Sequence, residues 1–297
     1  MEAHFTDARI LVAGLGLIGG SVAKALRETG LKHIDGLDTN VSVLAAAQSE
    51  GVINGVYHKG DAPYDLVICS LAPQLVSSLY DKVREHLAPG GVFAELSGLK
   101  TDVVRTMSDV LEDGHELLCL HPMAGSEKAG YAYSDAALFR NAPLILTPTK
   151  RTDAKALAWA GFLREALGCG DMPSIPADEH DALIADLSHL PHVAALSVRA
   201  VGKSHEAFAG GSYRSVTRVA DINAPLWAGL LTDNAEYVLV SIGKFRDQLD
   251  RLESAVRMRD AAKLETLLRQ ISGNSNDMGV GGPATGAASE VSAKEDS

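Results

Sequence analysis

The chain has 297 residues, enough for two domains of ordinary size, and 46% hydrophobic with 22% charged residues is the composition of a globular protein. Its 27 Lys plus Arg against 38 Asp plus Glu leave a formal charge of −11, which argues against a nucleic-acid footprint. No apolar run approaches the roughly 18 residues of a membrane helix, the start has no secretory pattern, and three cysteines without a CxxC pair suit reduced thiols, so a soluble cytoplasmic protein is expected.

Up to about residue 176, short apolar runs alternate with segments of helical spacing. Strands are expected at 9–13, 33–37, 65–70, 92–95, 117–120, 144–147 and 172–175. Helices are expected between them at 17–29, 41–49, 74–87, 100–111 and 153–167. Strands alternating with helices make parallel βαβ units, hence a doubly wound α/β sheet over residues 1–176.

Directly after the first expected strand comes Gly14-Leu15-Gly16-Leu17-Ile18-Gly19, a GxGxxG that opens the first expected helix. The first glycine permits the tight turn, the second admits a pyrophosphate to the backbone, and the third lets helix and strand pack closely. The helix N-terminus supplies free N–H groups for the phosphates. Asp38 follows the second strand, 19 residues after Gly19, where a carboxylate accepts from ribose hydroxyls and repels a 2′-phosphate. Thr39 and Asn40 offer no arginine for that phosphate, so NAD is expected over NADP. These residues, with Ser70, are the expected cofactor contacts of a Rossmann-type domain.

A bound NAD calls for a base and for substrate positioning from the protein. His121 follows the run 117–120, beyond a strand's carboxyl end, where open α/β sheets bind ligands. Its ordinary pKa suits a general base; the plainer alternative is a loop cap. Gly125, Ser126, Glu127 and Lys128 form a polar loop after it.

After Pro176 no strand is expected, and residues 177–272 read as an all-helical domain. Residues 178–204 carry apolar side chains on more than one face, the pattern of a buried helix, with a kink at Pro191. His189 and His192 share one side of it; without carboxylate or cysteine partners at ligand spacing, no metal is expected. Arg218 lies in an apolar stretch and needs an anion, either an internal partner or a substrate carboxylate. Val238, Ile242, Phe245, Leu249, Leu252 and Val256 step by four and three, a seam for packing along another helix and, on this reading, a subunit interface. Residues 273–297 lack aromatics and are expected to be a disordered tail.

Over residues 8–272 the sequence resembles the prephenate and arogenate dehydrogenase family of tyrosine biosynthesis. The resemblance rests on Gly14-Leu-Gly-Leu-Ile-Gly-Gly-Ser21, His121-Pro-Met-Ala-Gly-Ser-Glu-Lys-Ala-Gly130, Ser188-His-Leu-Pro-His192 and Thr217-Arg-Val-Ala220, with Trp227 and Asn234 after them. It implies NAD-linked oxidative decarboxylation of prephenate to 4-hydroxyphenylpyruvate, with His121 the base on the 4-hydroxyl and Arg218 on the ring carboxylate. It also implies Ser126, Glu127, Ser188 and His192 lining the substrate pocket, and a homodimer in which Gly211, Ser215 and Trp227 complete the partner's site. Arogenate is the alternative substrate, and a catalytically silent NAD-binding module the alternative of another class. The family's Asp-x-x-Ser-x-Lys segment reads here Glu95-Leu-Ser97-Gly98-Leu-Lys100, so Gly98 stands where a serine would touch the catalytic histidine. Either Ser97, one place early, substitutes with a shifted backbone, or His121 is oriented less tightly. The usual Ser-Asp-Pro after the arginine becomes Ile222-Asn223-Ala224, and Ser215 replaces a more usual acid.

Overall fold

The computed structural model describes residues 5–126 and 128–273. Glu127 and all of the expected tail except Gly273 lie outside the described residues. The described chain forms two compact units, one reaching Ser241 and one beginning at Ile242.

The first unit is built on a seven-stranded sheet: β1 (Arg9–Ala13), β2 (His33–Leu37), β3 (Gly55–Val56), β4 (Tyr64–Cys69), β5 (Leu87–Glu95), β6 (Glu116–Pro122) and β7 (Leu144–Thr147). Their order is β3-β2-β1-β4-β5-β6-β7, parallel throughout except for antiparallel β7. The strands are apolar on both faces because helices cover both. Along β1, Ile10 and Val12 point into one apolar layer, with Val22 and Leu26 of α1 (Leu17–Glu28) and Trp159, Phe162 and Leu163 of α5 (Ala154–Ala166). Leu11 and Ala13 point into the other, with Leu79, Tyr80 and Val83 of α3 (Val76–Val83) and Val103 and Met107 of α4 (Thr101–Val110). The strand order reverses between β1 and β4, and at such a switch point the carboxyl ends of the strands open a crevice for ligands.

Four expectations change. The segment 172–175 makes a single bridge, Leu146 to Ser174, because Pro173 cannot donate to a ladder. β7 runs antiparallel because only the short turn Tyr131–Tyr133, not a crossover helix, lies between it and β6. The kinked helix at 178–204 is α6 (Ala177–Ile184), a π segment Ala185–His189, and α7 (Leu190–Gly202). A proline clashes with the carbonyl four residues back, which here is Leu187 inside the π segment, and the widened turn absorbs what would otherwise be a break. Nor is this helix buried all round: Ile184 and Ala195 are enclosed, but Leu187 and Val201 are 64% and 85% exposed.

The unit continues through α8 (Gly211–Thr217), α9 (Ala224–Asp233) and the start of α10 (Ala235–Met258). In the second unit, the rest of α10 is joined to α11 (Ala261–Ser272), whose N-cap Asp260 accepts from the Lys263 N–H. Of the seam residues, Val238 is buried, whereas Leu249 and Val256 are exposed.

One substitution tests the loop at the start of α1. A Cβ on Gly19 would lie 1.9 Å from the Gly14 carbonyl oxygen. Gly19→Ala should therefore cost about 1–3 kcal/mol of stability; a thermal melt unchanged from wild type would show that the loop relaxes freely.

Candidate active site

The turn after β1 is shaped by its glycines. Gly14 has φ +86°, and a Cβ there would come within 2.6 Å of both the Ser70 carbonyl oxygen and a Leu71 methyl. Gly16 differs: its Cβ direction meets nothing within 4 Å, which leaves the backbone open to a ligand. Gly16 is also the N-cap of α1 and supplies no side-chain cap to the N–H groups of the first turn, where Leu17 and Ile18 are half-buried. Asp38 is held at the end of β2, accepting from the Leu15 N–H at 2.7 Å and the Asn40 N–H at 2.8 Å. Ser70 follows β4 on the same edge and donates its N–H to Ala13 at 2.8 Å. An open glycine backbone, uncapped N–H groups and a fixed carboxylate fit a dinucleotide, with pyrophosphate at the helix start and ribose at Asp38.

His121 sits near the carboxyl end of β6. Its Nδ1 lies 2.9 Å from Nε2 of His180, and His180 Nδ1 lies 2.8 Å from Oδ1 of Asp181. Asp181 also accepts from the backbone N–H groups of Lys100 and Thr101, each at 2.8 Å, at the start of α4. On the opposite side of His121, a Cβ on Gly98 would stand 4.0 Å from Nε2. Burial, then the nearby Lys100 ammonium and His180, hold the His121 pKa well below its ordinary value despite Asp181. A neutral imidazole at neutral pH is what a general base requires.

Beneath it lies a fully buried polar knot. The Lys100 ammonium donates to Glu95 at 2.5 Å, to the Leu120 carbonyl at 2.8 Å and to the Ser97 carbonyl at 2.9 Å. The Ser97 hydroxyl bonds the Glu95 carboxylate and the Leu99 carbonyl. Ser97 therefore does not replace the missing serine beside His121: its hydroxyl is used within the knot.

A second cluster forms around α7. His192 donates its Nδ1–H to the Ser188 carbonyl at 2.8 Å, and its ring lies 3.8 Å from that of Trp227. The His189 ring meets Trp227 edge-on at 5.9 Å. Asn234 joins the two clusters, donating to the Asp181 carbonyl at 2.9 Å and lying 3.3 Å from His189 Nδ1. Burial pushes His189 down to about 4. Trp227, expected to complete a partner's site, thus packs on histidines of its own chain. Ser126 is exposed and accepts from the Lys128 N–H, and Gly211 and Ser215 are exposed on α8. Arg218 is exposed at the head of the turn Arg218–Ala220, so it is no buried cation in want of an anion. That turn is tied by Arg199, 2.6 Å from Asp221 and 3.1 Å from the Thr217 carbonyl. Among the described residues, no group of three His, Cys, Asp or Glu could hold a metal ion. Sequence reading missed His180 and Asp181; their adjacency on a helix does not reveal that they meet a strand end 59 residues away.

Charging the buried histidines gives a pH prediction. His121 and His189 have folded pKa values below the unfolded value near 6.5, so between 6.5 and about 4 the unfolded chain binds more protons. Their contribution to stability is complete above 6.5 and is lost as pH falls toward 4. The melting temperature should drop across that window; a flat profile would contradict the burial of these rings.

Comparison with known proteins places the chain in context. The family model "Prephenate dehydrogenase, nucleotide-binding domain" matches residues 22–169, and "Prephenate dehydrogenase, dimerization domain" matches residues 176–270. The chain is 31% identical over 275 residues to a prephenate dehydrogenase of Bacillus subtilis, covering 86% of this chain and 72% of that protein. It is 28% identical to a cyclohexadienyl dehydrogenase of Zymomonas mobilis, over 84% of this chain and 89% of that one. Among solved structures, prephenate dehydrogenase from Aquifex aeolicus with hydroxyphenyl propionate and NAD+ superposes with a TM-score of 0.81 at 26% identity, covering 89% of this chain and 96% of that one. Synechocystis arogenate dehydrogenase gives 0.75 at 27% identity, over 89% and 98%.

Proposed function

The chain belongs to the prephenate dehydrogenase family, and on that footing we propose that it catalyses the NAD-dependent oxidative decarboxylation of prephenate to 4-hydroxyphenylpyruvate. The observation that carries the reading is His121: a depressed-pKa imidazole near the end of β6, in the sheet whose first turn fits a dinucleotide.

Gly14, Leu15, Gly16, Leu17, Ile18 and Gly19 would hold the pyrophosphate, Asp38 the ribose, and Ser70 the rim of the crevice. NAD, when bound, supplies the acceptor for the hydride that leaves C4 of the ring. The chain's own part is to take the 4-hydroxyl proton on His121 Nε2 as the C4 carbonyl forms, and to return it to that oxygen when loss of the ring carboxylate as CO2 makes the ring aromatic. The Arg218 guanidinium fixes that carboxylate by charge-assisted hydrogen bonds. Ser126, Ser188 and His192 line the substrate pocket, with Trp227 as a wall against His192; Glu127, which the resemblance adds to them, lies outside the described residues.

Residues 1–176 act as the cofactor domain and 177–272 as the substrate and dimerisation domain. The exposed Leu187, Val201 and Phe208 support a homodimer through these helices, since apolar surface of that kind is covered in stable oligomers. Gly211 and Ser215 then serve the partner's site. The described helices contain no candidate membrane span, and three free thiols agree with a cytoplasmic setting. Likeness to an arogenate dehydrogenase supports arogenate as the second reading.

NADH formation, followed with NAD or NADP and with prephenate or arogenate, tests the whole reading. Turnover with NAD and prephenate is expected; arogenate preference would relocate the error to the side-chain pocket, and no turnover with either would sink the dehydrogenase reading. His121→Asn should lower kcat by about 10²–10⁴ while NAD still binds. Turnover like that of wild type would remove His121 as the base.

A further inference from the structure

The side chains behind His121 determine where its proton resides. Burial alone would raise the Asp181 pKa, but hydrogen bonds from His180 and from the N–H groups of Thr101 and Lys100 bring it below the usual carboxylate value. Asp181 is therefore ionised at neutral pH and can only accept. Its 2.8 Å contact with His180 then requires the hydrogen on His180 Nδ1. With that as its one ring hydrogen, His180 accepts at Nε2, and the 2.9 Å contact then requires a hydrogen on His121 Nδ1. His121 Nε2 is left bare, and it is the atom that faces the vacant side chain of Gly98.

We propose that His180 and Asp181 are positioning residues that lock His121 in its Nδ1–H tautomer and hold the plane of its ring. The proposal rests on the reading of His121 as the base and extends it. In the pattern this chain resembles, a serine meets the catalytic histidine; here Gly98 offers no side chain and the Ser97 hydroxyl is used by Glu95 and Leu99. Orientation therefore comes from the Nδ1 side. His180 is wholly enclosed, and Asp181 is clamped by two backbone N–H groups, so neither ring nor carboxylate is free to swing. The same arrangement prepares the base for its product state. Once Nε2 takes the hydroxyl proton, the imidazolium still donates through Nδ1 to His180, which in turn donates to the Asp181 carboxylate. This offsets the neighbouring Lys100 and the burial that disfavour a charged ring.

The test is the tautomer itself, read in full-length protein with 15N-labelled histidine by two-bond 1H–15N correlation near pH 7.5, with the His121 signals assigned from His121→Asn. The proposal requires the Nδ1–H pattern for His121; an Nε2–H pattern, as a protonated His180 donating to His121 would produce, overturns it. His180→Gln, whose amide oxygen accepts from His121 while its NH2 faces Asp181, should keep the tautomer and most of kcat. His180→Leu should mix the tautomers and lower kcat by about 10–10²-fold with KM for prephenate nearly unchanged. An unaltered His121 pattern in His180→Leu overturns the proposal. Should that variant fail to fold, the wild-type and His180→Gln spectra still decide. A locked tautomer in a protein that oxidises neither prephenate nor arogenate would support the lock and remove the dehydrogenase reading instead.

Discussion

The buried ammonium of Lys100 is the constraint on which the site depends. Taking such a charge out of water costs several kcal/mol unless its donors are all met. Here all three are, by Glu95 at the end of β5, by the Ser97 carbonyl in the turn after it, and by the Leu120 carbonyl next to His121. The backbone N–H of the same residue holds Asp181. One residue thus joins two strand ends, the start of α4 and the helix that carries His180. The geometry around His121 follows from satisfying that charge, and so does the capture of the Ser97 hydroxyl.

The parts legible in the sequence were those written locally. The GxGxxG loop, Asp38 at a strand end and His121 near a strand's carboxyl end (inside β6, where the sequence placed it just beyond) each declare themselves through their neighbours, because backbone conformation and strand polarity are local properties. β1, β2 and β7 fall on the expected residues for the same reason. What could not be read depends on contacts between distant segments. His180 reaches His121 across 59 residues, and nothing near either residue announces it. The exposed faces of α7 belong here too: an apolar pattern reports that a surface is to be covered, not whether the same chain covers it.

The π segment is where local misfit serves the site. Pro191 cannot be accommodated in a regular turn against Leu187, and the chain widens through Ala185–His189 instead. Two imidazoles then reach one indole, His192 over the ring of Trp227 and His189 at its edge. With Nδ1 of His192 committed to the Ser188 carbonyl, only Nε2 of that ring is left to meet a ligand. On the proposed function that nitrogen would meet the substrate's side chain, which is where prephenate and arogenate differ.

Gly98 shows how the same constraint shapes the surroundings of His121. A Cβ at this position would meet Leu230 at 3.7 Å and His121 Nε2 at 4.0 Å, both ordinary contacts. A Cβ at this position therefore meets no clash that would demand glycine. A histidine held from both nitrogens would have its lone pair shared with the hydroxyl; one held from Nδ1 alone presents Nε2 undivided. Such a ring needs a stiffer support behind it, and the enclosed His180, the clamped Asp181 and the saturated Lys100 supply one. The cost of orienting the ring has moved from its Nε2 side to its Nδ1 side.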